Sequence, residues 1–306
     1  MEEGGALQVM SWGAHFVSVA ATMVLFGASL FPFYAGVRGW PPIWSRLAPP
    51  VLALILLVAL ALSACLTLLD FTGDAASLVS PDELQAFFLQ TNFGPVWLAG
   101  IAASLALLAV SLGFAAPTDT HGRRDAALLI LSGGVLVSFA AVGHAGGTPN
   151  GGAAGAVASE IMHLMAAAAW LGGLPPLLAY LAGLQQKDHN LPSALPVLNG
   201  FSFMGQWAVA ILIIGGVSAL AVLIAARHVN LSSLQAGPYV LTLSIKFVLL
   251  VIMLAIAGIN RFVLIPAMER GSGDAGRLYK LVYAEALLGA LVVGAATILS
   301  HLPPPN

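Results

Sequence analysis

The sequence predicts an all-α fold: a polytopic membrane bundle of eight transmembrane helices with both termini on the outward side. Three observations carry this. Of 306 residues, 59% are hydrophobic and 8% are charged, with a mean hydropathy of +0.95, against roughly 25% charged in an ordinary soluble domain. Apolar runs of about the 20 residues needed to cross a bilayer recur eight times. Lys and Arg gather in alternate connections, as short cytoplasmic loops require.

The runs fall at about 12–33, 50–69, 95–115, 126–143, 160–183, 204–226, 239–259 and 281–300. The start, "MEEGGALQVM", is acidic where a secretory n-region would be positive, so no cleavable signal is expected. Pro50 and Pro95 open the second and third runs at first-turn positions, where a missing N–H costs little. Between them, "SPDELQAFF" reads as a short helix with Ser80 as cap, Pro81 as first residue and Glu83 three after the cap, and Leu84, Phe87 and Phe88 are expected on the membrane surface. "RGWPPIWSRLAPP", "APTDTHGRRD" and "MERGSGDAGR" separate other runs, since such stretches cannot continue an apolar helix in lipid. Gly215 and Gly216 interrupt the sixth run, and Ala166, Ala167, Trp170 and Gly173 line one face of the fifth, a pattern that first suggests close helix packing.

The first, third, fifth and seventh connections hold Arg38, Arg46, Arg123, Arg124, Lys187, Arg261, Arg270, Arg277 and Lys280, whereas Arg227 stands alone on the other side. Both termini therefore face outward, to the periplasm if the cell is bacterial. The chain reads as one integral-membrane domain, 1–306. Its 11 Lys and Arg against 13 Asp and Glu give no basic surface for nucleic acid. A single cysteine, Cys65, excludes an internal disulfide and a CxxC site. No GxxxxGK[ST] phosphate loop is present, and no catalytic constellation is evident, so the chain is read as a non-enzyme.

Polar residues sort by depth. His15, His144, His163, His228 and His301 come out at the outward level, with Asp70, Glu160, Met10, Met162 and Met165; His121 and His189 fall in inner loops. Imidazole and thioether at one depth suit a soft or borderline cation, thioether selecting for Cu(I), whereas calcium or magnesium would need more carboxylates. Glu160 and His163 share a helix face. The expected metal site is His15, His144, His163 and Glu160, with His144 brought near by the Gly-rich turn "AGGTPNGGAAGA". Met10, Met162, Met165, Asp70 and Cys65 are further candidates, each with a plain packing or solvation reading beside it. His228 and His301, at helix ends, read more simply as hydrogen-bonding backbone or headgroups. Lys246 lies about two turns into the seventh run and Glu285 about one turn into the eighth from the inner side. Both snorkel to the nearer interface, or mark a polar path if they face a cavity.

"VGHAGG", "HLMAAAAWLGGLPPL", "FSFMGQWAVAILIIGGVSAL" and "INRFVLIPAM", with "HFVSVAATMVLFGASLF" and "TNFGPVWLAG", together resemble the copper resistance protein D (CopD) family over nearly the whole chain. The resemblance implies an inner-membrane copper-handling protein that moves copper inward and works with a separate periplasmic CopC-like protein. It puts His144 and His163 at the site, and Asn260 and Arg261 at the inner end, setting helix orientation. One departure is Gly200, where the family often has a basic residue before Phe201 and Ser202. The expectation is a copper permease carrying copper as Cu(I). The alternatives are a haem-binding redox protein, with histidines from facing helices as ligands, and a non-transporting copper-delivery scaffold.

Overall fold

A computed structural model describes residues 2–36, 47–91, 93–113, 121–142, 153–186, 191–227 and 237–302; these are helical or connecting, with no strand among the described residues. The long helices are α1 (Glu2–Ala35) and α2 (Ala48–Thr72), then α4 (Gly94–Gly113) and α5 (His121–Val142) after a short α3 (Pro81–Gln85). There follow α6 (Ala153–Leu171), α7 (Leu174–Gln186), α8 (Leu191–Arg227), α9 (Pro238–Ile259), the short α10 (Ile265–Glu269) and α11 (Ala275–His301). Among the described residues eight spans are long and apolar enough to cross a membrane, as the hydropathy pattern predicts. Large apolar side chains such as Val58, Ile130, Ile214 and Phe247 point out of the bundle, which in a bilayer is contact with lipid tails. Buried hydroxyls turn back on their own helices: Ser18 and Thr22 donate to the carbonyls of Ala14 and Ser18, and Ser132 to that of Leu128. The hydrogens of these three hydroxyls are thereby kept from facing hydrocarbon.

The spans run further than the apolar runs. Asp274 accepts from the N–H groups of Gly276 and Arg277 and so starts α11 well before residue 281. The seventh span continues past Ile259 through a π turn at Asn260–Leu264, where the Ile265 N–H reaches the Asn260 carbonyl five residues back, into α10. Pro266, which has no N–H to give, falls in the turn that follows. The expected cap at Ser80 is corrected: its side chain makes no capping bond, although α3 does begin at Pro81. The surface position of the following aromatics is corrected as well. Phe87 is buried, packed with Ala64, Leu68, Leu84, Phe88 and Trp97, because the π turn Ala86–Gln90 folds this segment back over the ends of α2 and α4.

α1 is the column of the bundle, packing on α2, α5, α6, α7, α8 and α11. The fifth span is not one helix. It breaks at Gly172–Gly173, between α6 and α7, near the middle of Val157–Leu184. A Cβ on Gly172 would meet the Met23 backbone, and one on Gly27 would meet the backbones of Ala168, Gly172 and Gly173. The two chains touch main chain to main chain there, which only glycine allows. Pro175 and Pro176 lack N–H groups, so the carbonyls of Leu171 and Gly172 have no donor four residues on. Gly200 has an equally local cause, since a side chain there would drive its Cβ into the Tyr34 backbone. The glycine at this position thus lets α8 come onto the end of α1.

Adding a methyl at the crossing cannot be relieved by a rotamer change. Gly27→Ala and Gly172→Ala are each expected to cost about 1–3 kcal/mol of stability, read as a lower unfolding temperature in detergent. Gly258→Ala, with nothing within 4 Å of the new methyl, should hold or rise slightly on helix propensity. An equal loss at all three positions would contradict the crossing.

Candidate metal site at the terminal end of the bundle

The N-terminal half of α1 and the C-terminus of α11 meet at one end, here the terminal end; α10 turns into α11 at the other. α6 runs parallel to α1, because Gly27 lies against Gly172 and Gly173 while the earlier Val19 and Met23 pack with Ala167 and Ala168. His163, nine residues before the break, is thereby carried to the terminal end.

His15 is half-buried, its ring edge-on to His301 at a centroid distance of 5.4 Å and to Phe139 of α5 at 5.8 Å. Trp12 lies 6.0 Å from His301. The Nδ1 of His301 is 2.8 Å from the Thr297 carbonyl and 3.2 Å from the Ser300 hydroxyl. A proton on Nδ1, donated to that carbonyl, leaves the Nε2 lone pair free for a ligand. The reading of His301 as a backbone hydrogen-bonder is therefore correct, but it is also a partner of His15. The sequence placed it at the right depth; its partner, almost the full chain length away, carries no local signal.

His163 stands apart from this pair. Its ring packs over Gly215 of α8, with Nδ1 3.4 Å from where a Cβ would be. Gly215 is thus a seat for the imidazole, a role the packing reading of the Gly pair did not include. Lys246, from α9, lies within electrostatic range of both His163 and Glu160. That influence makes it part of this polar group rather than a residue of the interface alone.

Among the described residues no three His, Cys, Asp or Glu side chains converge to hold a metal ion. Of the expected cluster's described members, His15 lies against α11 and α5, whereas His163 packs on α8 and, with Glu160, lies within electrostatic range of Lys246 on α9. His144 lies outside the described residues, as do His228 and His189. Met165 packs with Phe16, Phe26 and Leu136, its methyl near Gly133, which makes it core. Met10 and Met162 are exposed, Asp70 is exposed at the end of α2, and Cys65 faces out of the bundle.

Glu285 does not snorkel. It is buried and accepts a hydrogen bond from the Asn260 amide across the α9–α11 contact. Arg261, the next residue, donates to Asn199 Oδ1 at 3.3 Å, and Asn199 Nδ2 donates to Glu269 at 3.2 Å. That chain ties α8 to the end of the seventh span, the orienting role expected of Asn260 and Arg261. The Asn260–Glu285 pair escaped the sequence reading because Glu285 was placed one turn from the interface, on a helix that in fact starts earlier.

Comparison with known proteins follows this geometry. The family described as "Copper resistance protein D-like, N-terminal domain" matches residues 6–156, and that described as "Copper resistance protein D" matches residues 195–299. The inner membrane protein YebZ of Escherichia coli (strain K12) is 31% identical over 228 residues, covering 74% of this chain and 73% of that protein. Copper resistance protein D of Pseudomonas syringae pv. tomato is 29% identical over 313 residues, covering 96% and 97%. No solved structure matches.

The charge grouping at α6 predicts non-additivity. Glu160→Gln and Lys246→Met should each destabilise the protein in detergent, and the double variant should recover a coupling energy of about 1–3 kcal/mol. Strictly additive losses in a double-mutant cycle would separate the two charges.

Proposed function

Because the chain belongs to the copper resistance protein D family, we propose that it captures copper, as Cu(I), at the terminal end of its bundle and passes it inward across the inner membrane. Membership makes it a copper-resistance protein, and its eight apolar spans make it a multi-pass inner-membrane protein. The proposal adds the site, the direction and the orientation, with both termini toward the periplasm.

The observation that carries the reading is the pair of imidazoles, His15 and His301, brought together at one end of the bundle from opposite ends of the chain. A soft monovalent ion accepts few ligands, and imidazole is among those that suit it. The Thr297 carbonyl, taking the Nδ1 proton of His301, leaves its Nε2 lone pair free for a ligand. Met10, exposed five residues before His15, supplies a thioether on the approach. His163 and Glu160 form the next stop. There the ammonium of Lys246 opposes a resident cation, so the ion is held weakly and handed on, as conduction requires. The ion reaches the site from a separate periplasmic CopC-like protein. With no phosphate loop in the sequence, passage draws on an ion gradient.

Cu(I) affinity of the purified protein, measured by competition with a chromophoric chelator, is expected to fall at least about tenfold in His15→Ala and His301→Ala. His163→Ala should chiefly slow copper uptake into proteoliposomes, and His189→Ala should leave both unchanged. Equal affinity in wild type, His15→Ala and His301→Ala would remove the imidazole pair from the site.

A further inference from the structure

Glu285 is 3% exposed. α11 runs from Ala275 to His301, so Glu285 stands about 4.5 Å along the axis from the helix midpoint. Asn260, 7% exposed, opens the π turn and donates to Glu285 through Nδ2, whereas its buried Oδ1 has no hydrogen-bond partner. One turn further along α11, on the same face as Glu285, a Cβ on Gly289 would touch Leu171, the last residue before the break in the fifth span. The acid and the orphaned amide oxygen therefore lie about one turn from the level of the broken helix, inside the membrane-spanning part of the bundle.

An ionised carboxylate with a single neutral donor is costly at that depth. Among the described residues no cation is placed to offset it. The elements packed on α11 are α9 with its π turn, α7, α6 and α1. On α9, Lys246 is about 21 Å from Asn260 along the axis, beside Glu160 and His163 of α6, and Arg261 of the π turn donates to Asn199. α7 brings Tyr180. α1 brings His15, paired at the terminal end, and Tyr34, whose hydroxyl lies against Gly173. On α11 itself the one-turn neighbours of Glu285 are Leu281, Val282, Leu288 and Gly289, while Arg277 and Lys280 are exposed near the helix start. A neutral Glu285 fits this setting. Its O–H can donate to Asn260 Oδ1 while the amide donates back, which satisfies the orphaned oxygen and closes a two-bond ring.

We propose that Glu285 and Asn260 form a proton-binding site buried within the membrane-spanning bundle, through which copper passage is coupled to proton movement. The coupling rests on the transport reading above; the protonation site does not. Two oxygen donors suit a proton and make a poor resting place for a soft ion, so the pair is not a further copper site. Protonation forms an O–H bond on the carboxylate with a proton from water, and deprotonation returns that proton to water; nothing is oxidised or reduced. The doubly bonded, neutral state ties the π turn to α11 beside the break, and loss of the proton opens one of the two bonds.

Two measurements on the full-length protein test this. Infrared difference spectra taken across the pH range in which it stays folded should show a titrating carboxylic-acid carbonyl band that is absent in Glu285→Gln and displaced in Asn260→Leu, which loses the hydrogen-bond partner. A band unchanged in both variants would overturn the site. In proteoliposomes, a pH gradient should change wild-type copper uptake, and Glu285→Gln should lose that dependence while keeping its chelator-measured Cu(I) affinity. Uptake in Glu285→Gln as gradient-sensitive as in wild type would overturn the coupling. Absence of uptake by the wild type would overturn the transport reading, with the infrared band still deciding the protonation site.

Discussion

The crossing of α1 over the break in the fifth span is the contact on which the rest of the bundle depends. In lipid, helices gain little by hiding apolar surface from one another, so association rests on close packing and on internal satisfaction of polar groups. Gly27 against Gly172 and Gly173 brings two backbones into contact, and α1 then holds neighbours on every side. The lever arms follow from that one point. Residues before Gly27 on α1, and before Gly172 on α6, rise together to the terminal end; Phe31 and Ala35 beyond it join Trp170, Leu174 and Phe201 in the core of the other half.

Polar groups occupy two levels set by this arrangement. At the terminal end, His15 meets His301 while His163, Glu160 and Lys246 form a second group facing α8 and α9. In the transport reading proposed above, the first group holds the cation and the ammonium of Lys246 in the second opposes it. On the other side of the level of the broken helix, Asn260 and Glu285 bridge the seventh and eighth spans. The π turn that presents Asn260 and the Gly172–Gly173 break both depart from regular helix at membrane depth. Such departures are tolerated where other parts of the protein surround them, and Asn260, Gly172 and Gly173 are all buried.

Several sequence expectations hold because they depend on composition averaged along a run. The number of spans is one; the gathering of His15, His163 and His301 at one end is another. Others fail where a tertiary neighbour outweighs a local pattern. Phe87 leaves the membrane surface because the ends of α2 and α4 offer it Ala64, Leu68 and Trp97.

By itself the sequence determined that this is a membrane bundle of eight helices, and it carried enough of one family's residues to place the chain in it. Hydropathy is a sum over neighbours in the chain, so both were legible without coordinates. Which imidazole meets which, what shields Glu285 and where the fifth span breaks were decided by the tertiary structure. These depend on which helix faces come together, and partners such as His15 and His301, or Asn260 and Glu285, are joined by packing rather than by any spacing along the chain.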